Sequence, residues 1–146
     1  MNNEENFRMM ELGMQGYNCS QILMLMALEA LGKENTDLVR AMSGLQAGMG
    51  CGKVCGALTG GCCVLGLFAG KDSAESNNDE RLVTMQSAFV EWFETEFTAR
   101  FGGVDCDVIL SGNPHYKLSR CPAIVTESFD QLREILSENG YEFHAS

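Results

Sequence analysis

Seven cysteines, at positions 19, 51, 55, 62, 63, 106 and 121, are the residues of this chain best able to do chemistry. A thiolate is both the nucleophile of disulfide exchange and a ligand for zinc and iron, so two chemistries are open from the start. Four of the seven fall at expected helix starts. Cys19 follows Asn18, Cys106 follows Asp105, Cys121 stands beside Pro122, and Cys55 lies near the start of a glycine-rich helix. Unpaired backbone N–H groups and the helix dipole favour negative charge there, which lowers a thiol pKa.

Spacing limits what neighbouring cysteines can do. In one continuous helix Cys51, Cys55 and Cys62 would share a face. Their i, i+4 Cβ atoms would then be about 5–6 Å apart. A disulfide wants about 3.5–4.5 Å, so a metal fits such a pair better than a bridge unless the turn at residues 50–53 is nonhelical. Cys62 and Cys63 are adjacent and point apart on a helix, so a bridge between them is not expected and one or both read as core filling. No CxxC motif occurs, so neither a thioredoxin-type motif nor a zinc-knuckle spacing is present.

The elements that must position these sulfurs read as all-helical. Strand and hairpin signals are scarce, and the chain has only two prolines. Helices are expected over Glu4–Gly13 and Ile22–Leu31, the second started by a capping box of Asn18 and Gln21. Asn35 or Thr36 caps a third, running to Gly44. A glycine-rich loop, Gly44–Gly52, leads into a helix from about Lys53 to Ala69. Glu80–Phe101 is the longest, with Leu82, Met85, Phe89, Trp92, Phe93 and Phe97 at core spacing. A short helix is expected at Cys106–Leu110, then a loop over Ser111–Arg120. The last helix is expected to begin at Cys121–Pro122, with proline in the favoured first position, and to carry Ile124, Val125, Phe129, Leu132, Ile135 and Leu136 inward. The expected architecture is one compact bundle of about five to six helices over residues 1–146, around a glycine-rich central helix.

Glycines at 44, 48, 52, 56 and 60 recur every fourth residue. Each costs up to about 1 kcal/mol in a helix relative to alanine, so the series predicts close approach of another backbone. Gly56, next to Cys55, is the centre of that expected seam.

Composition excludes several functions. A net charge of −10 argues against nucleic acid and against anionic membranes. The uncharged run Val54–Gly70 is too short and too glycine-rich to span a bilayer, which needs about 20 apolar residues. The acidic start lacks a signal-peptide pattern, which points to the cytoplasm, where thiols stay reduced. Seven cysteines in 146 residues fall below the roughly 8–10% of a disulfide scaffold. His115 and His144 are isolated and read as solvated residues. The nine methionines read as core, the carboxylates form no distinct acid–base pair, and no phosphate loop is present.

The stretches Tyr17-Asn18-Cys19-Ser20-Gln21 and Cys55-Gly56-Ala57-Leu58-Thr59-Gly60, followed by Cys106 and Cys121-Pro122, resemble the redox-active proteins named for a C_GCAxxG_C_C signature. The resemblance covers about residues 12–136. It implies that Cys19, Cys55, Cys106 and Cys121 are the four signature cysteines. It also implies a redox role without a known substrate, and a link to transporters as partners.

The leading expectation is therefore a thiol–disulfide protein with Cys55 attacking, Cys19 or Cys121 resolving, and Cys106 nearby. The alternative is a zinc or iron–sulfur site drawn from Cys19, Cys51, Cys55, Cys106 and Cys121. A third is a helical interaction domain with inert cysteines, partnered to a transporter.

Overall fold

The computed structural model describes residues 1–142, so His144 lies outside the described residues. The chain is all-α. Its α-helices are α1 (Asn3–Met14), α2 (Cys19–Ala30), α3 (Thr36–Ala41), α4 (Gly56–Ala69), α5 (Arg81–Phe101), α6 (Cys106–Ile109) and α7 (Lys117–Glu138). Among the described residues the α-helices number seven, above the expected five to six, and two of them, α3 and α6, are very short.

Local signals explain most boundaries. Asn18 accepts from the Gln21 backbone N–H while the Gln21 side chain reaches back to the Asn18 N–H, the capping box read from the sequence. Asn35 caps α3 through the Leu38 N–H. Gly102, at φ +90°, stops α5 in the left-handed conformation that a glycine adopts freely.

The central helix is α4, packed against α2, α5 and α7. Its glycines do two different jobs. A Cβ on Gly60 would sit 2.8 Å from the Ser20 Cα, so bare backbone is what lets α2 cross α4 here. A Cβ on Gly61 would meet the Phe89 ring at 2.4 Å. Opposite it, Phe89, Phe93 and Phe97 of α5 are fully buried, with Phe93 and Phe97 packed edge to face at 4.6 Å between centroids. Trp92 is only partly buried and stacks on Phe89. From α7, Ile124, Val125, Phe129, Leu132, Ile135 and Leu136 all point inward, as their spacing predicts. Each such side chain contributes about 1.5–3 kcal/mol by leaving water.

The four-residue glycine series is not one helical stripe. Gly48, Gly50 and Gly52 have φ of +61°, +72° and +75°, and Ala47 and Met49 are left-handed too. This segment is a tight loop, and α4 begins at Gly56, three residues later than expected. Lys53–Cys55 is instead extended, and Val54 forms an isolated antiparallel bridge with Asp105.

The start of α7 is also corrected. It begins at Lys117, after a short 3-10 turn at Pro114–Tyr116 whose cap is Asn113. Cys121 is thus inside the helix, about one turn in, and not at its N-terminus. Pro122 there removes one intrahelical N–H, a donor that would have bonded the carbonyl of the solvent-exposed Leu118.

Candidate thiol site

Four separate devices bring sulfurs to one place. The Asn18–Gln21 capping box sets Cys19 as the first residue of α2. Ser20, fully buried, anchors that turn by donating to the Met42 carbonyl at 2.8 Å, and Gln21 donates to the Val39 carbonyl at 3.1 Å. The antiparallel bridge joins the other two loops. The Cys55 N–H donates to the Val104 carbonyl at 2.9 Å and the Cys106 N–H to the Lys53 carbonyl at 2.6 Å. Cys55 and Cys106 therefore enter the site as neighbours. Finally, Arg120 donates to the Ile109 carbonyl at 2.5 Å, which holds the first turn of α7, and with it Cys121, against α6.

Cys19, Cys55, Cys106 and Cys121 together line a small cavity of about 80 Å³, with Lys117, Gly56 and Ile109 in its wall. The other three cysteines are elsewhere. Cys51 sits exposed on the left-handed loop, and its thiol donates to the Gly48 carbonyl at 3.4 Å. Cys62 packs against the core, while Cys63 is exposed on α4 and fills no core position.

The four thiols are not equivalent. Cys19 donates a hydrogen bond to Cys121, which holds the Cys121 pKa down to about 7; burial opposes this, and the nearby Lys117 ammonium assists it. The same hydrogen bond, with burial, pushes Cys19 well up, so the pair shares one proton with the charge on Cys121. Cys55 is buried, and burial pushes its thiol up to about 11. The Ala57 and Leu58 N–H groups favour its thiolate without closing a cap hydrogen bond and do not overcome that burial. Burial raises Cys106 too, helped by Cys121 and Asp107. A helix N-terminus thus does not by itself make Cys55 acidic; its sulfur is too dry. The expectation of an attacking Cys55 meets this obstacle.

Sequence reasoning missed Lys117. It stands four residues before Cys121 on the same helix, a face-sharing spacing that becomes visible only once α7 is known to start there. For the metal alternative, no group of three or more His, Cys, Asp or Glu side chains among the described residues is arranged to hold an ion. The shared cavity is therefore not a preformed Cys₄ donor set. No helix among the described residues is long and apolar enough to cross a membrane.

No curated protein and no solved structure matches the chain. A family model described as "Putative redox-active protein (C_GCAxxG_C_C)" matches residues 17–135, a span that contains all four cavity cysteines, and the chain belongs to that family.

Proposed function

We propose that this chain is a dithiol–disulfide exchange protein in which Cys121 attacks and Cys19 resolves. The observation that carries this reading is the convergence of Cys19 and Cys121 beside Lys117 in one cavity lining, where Cys19 holds the Cys121 pKa down to about 7. At neutral pH about half of Cys121 is ionised, which is close to the best compromise between thiolate fraction and nucleophilicity.

The reaction balances with a disulfide as the oxidant. The Cys121 thiolate attacks one sulfur of a substrate disulfide; the substrate S–S bond breaks and one half leaves as a thiolate. The Cys19 thiol then gives its proton to that leaving thiolate. The Cys19 sulfur attacks Cys121, the mixed disulfide breaks, and the second half leaves. Two protein thiols become one disulfide, and one substrate disulfide becomes two thiols. Lys117 stabilises the anionic sulfur in both steps. Cys55 and Cys106, kept protonated, wall the site.

Equilibration of the folded protein in defined redox buffers, followed by mass-spectrometric mapping, tests the reading. A reversible Cys19–Cys121 disulfide is expected between about −300 and −120 mV, the span of catalytic thiol couples. If no pair oxidises reversibly in that span, or the pair that does lacks Cys121, the reading fails.

A further inference from the structure

A second and larger cavity opens against the same two sulfurs. It has a volume of about 470 Å³ and shares Asn18, Cys19, Lys117 and Cys121 with the small thiol cavity. Its walls come from α1 and α7: Met9, Met10 and Met14 on one side, Leu118 and Val125 on the other, with Ile22 of α2 behind. Met14 and Leu118 are almost fully exposed, at 87% and 88%, and Met10 is 60% exposed. Exposed apolar side chains concentrated along one concave rim mark a binding site; scattered ones would not. Methionine is the residue best able to reshape around varied apolar bodies.

Apart from the Cys121 thiolate, Lys117 is the only charged side chain in the lining, and it makes no salt bridge with a carboxylate among the described residues. In a chain of net charge −10, an ammonium with no carboxylate partner at the mouth of an apolar groove is a specific feature. The volume lies within the roughly 300–1,000 Å³ of small-molecule sites, which combine apolar walls with a few placed polar groups.

We infer that this groove is the substrate pocket of the thiol pair, and that it selects small disulfides with an apolar body and one negative group within reach of Lys117. The inference rests on the exchange reading above. The apolar half lies between Met14 and Leu118, the anion meets Lys117, and the disulfide reaches Cys121 at the floor. Exchange then proceeds as described, with the anionic half leaving as a thiolate.

Two measurements on the full chain separate the groove from the chemistry. The first uses 8-anilinonaphthalene-1-sulfonate, an apolar anion that cannot react with thiols. Saturable binding is expected, retained in Cys121→Ser. Binding should weaken about tenfold in Leu118→Glu, where a charge must be desolvated or the pocket abandoned, and severalfold in Lys117→Gln. Leu118 is exposed, so its variant keeps the fold, checked by circular dichroism. Absent saturable binding, or binding untouched by Leu118→Glu, overturns the pocket whatever the thiols do. The second compares Cys121 modification by 5,5′-dithiobis(2-nitrobenzoate), aromatic and anionic, with cystamine, polar and cationic. Each rate is taken relative to the urea-unfolded chain at the same pH. Leu118→Gln, which removes the apolar wall without bringing a charge to Cys121, should slow the aromatic anionic reagent severalfold and leave cystamine within about twofold. Equal effects on both reagents overturn the selectivity. Failure of a Cys19–Cys121 disulfide to form reversibly, by contrast, removes the exchange reading while the dye measurement still decides the pocket.

Discussion

Cys19 and Cys121 line the same cavity and shift each other's acidity in opposite directions, although most of the chain lies between them. One sulfur sits at the start of a capped helix and the other inside the first turns of the last helix. Their contact makes the acidity of Cys121 a property of a partner 102 positions away. It also separates the four cavity cysteines into a charged one and three protonated ones.

Alkylation with iodoacetamide reads that division directly. The rate at Cys121 should rise with pH around a midpoint near 7. Cys19→Ala removes the hydrogen bond and should move the midpoint up toward the ordinary value near 9. At pH 7 the thiolate fraction then drops steeply, while each remaining thiolate becomes more nucleophilic, so the net rate should fall roughly five- to tenfold. A midpoint unchanged by Cys19→Ala would show that Lys117, and not Cys19, sets the acidity.

The helix caps make a second prediction. Asn18→Ala removes the acceptor for the Gln21 N–H and frees the turn that carries Cys19. The loss should be about 1 kcal/mol in a urea melt. The Cys121 alkylation midpoint should rise as well, because the donor sulfur is no longer held. A stability loss with an unmoved midpoint would uncouple the cap from the site.

Much of this arrangement is legible in the sequence, and the failures have physical causes. The Asn18–Gln21 box, the Asp105 cap position, the α5 aromatic face and the buried residues of α7 follow from local rules. The start of α7 does not, because two proline signals compete. Asn113-Pro114 offers a cap followed by proline just as Cys121-Pro122 does, and the chain uses the earlier one. That choice moves Cys121 off the helix terminus and brings Lys117 onto its face. The glycine period misleads for a related reason: left-handed loop positions and helix-packing positions happen to share a spacing. The groove between α1 and α7 involves residues far apart in sequence, and its exposed methionines read as ordinary core in one dimension.

The glycines of α4 separate cleanly by substitution. Gly60→Ala places a Cβ 2.8 Å from the Ser20 Cα, a backbone atom that cannot swing away. The cost should be about 1–3 kcal/mol despite better helix propensity. Gly66→Ala meets nothing within 4 Å and should gain up to about 1 kcal/mol. Gly56→Ala lies between, 3.2 Å from the Leu45 carbonyl oxygen. A denaturant melt in which Gly60→Ala equals or exceeds the parent would show that α2 and α4 do not cross on bare backbone.

The buried Cys55 thiol makes stability depend on pH. Its pKa is raised in the fold from an ordinary value near 9 to about 11. Its contribution is therefore complete below about pH 9 and is lost as pH rises toward 11, because the unfolded chain gives up the proton first. At pH 10.5 the loss should be about 2 kcal/mol. Cys121 has the opposite sign and gains stability between about pH 7 and 9. The comparison is thus between the parent and Cys55→Ala, melted at pH 8 and pH 10.5. The parent should lose more than the variant over that interval; equal losses would mean that Cys55 is hydrated.

Lys117 links acidity to redox poise. Stabilising the Cys121 thiolate stabilises the reduced pair, which makes the disulfide more oxidising. The size of this effect depends on how much of the thiolate is present. At pH 6, below the folded pKa, both parent and Lys117→Gln hold the proton and their potentials should agree. At pH 9 the parent is ionised, and each unit by which the variant raises the Cys121 pKa lowers its potential by roughly 30 mV, a tenfold change for a two-electron couple. Redox titrations of the Cys19–Cys121 pair at both pH values check this. Potentials that diverge with rising pH place Lys117 in the electrostatics of Cys121. A constant offset at both values would instead mean that the substitution strains the disulfide, and identical potentials at pH 9 would remove Lys117 from the redox site.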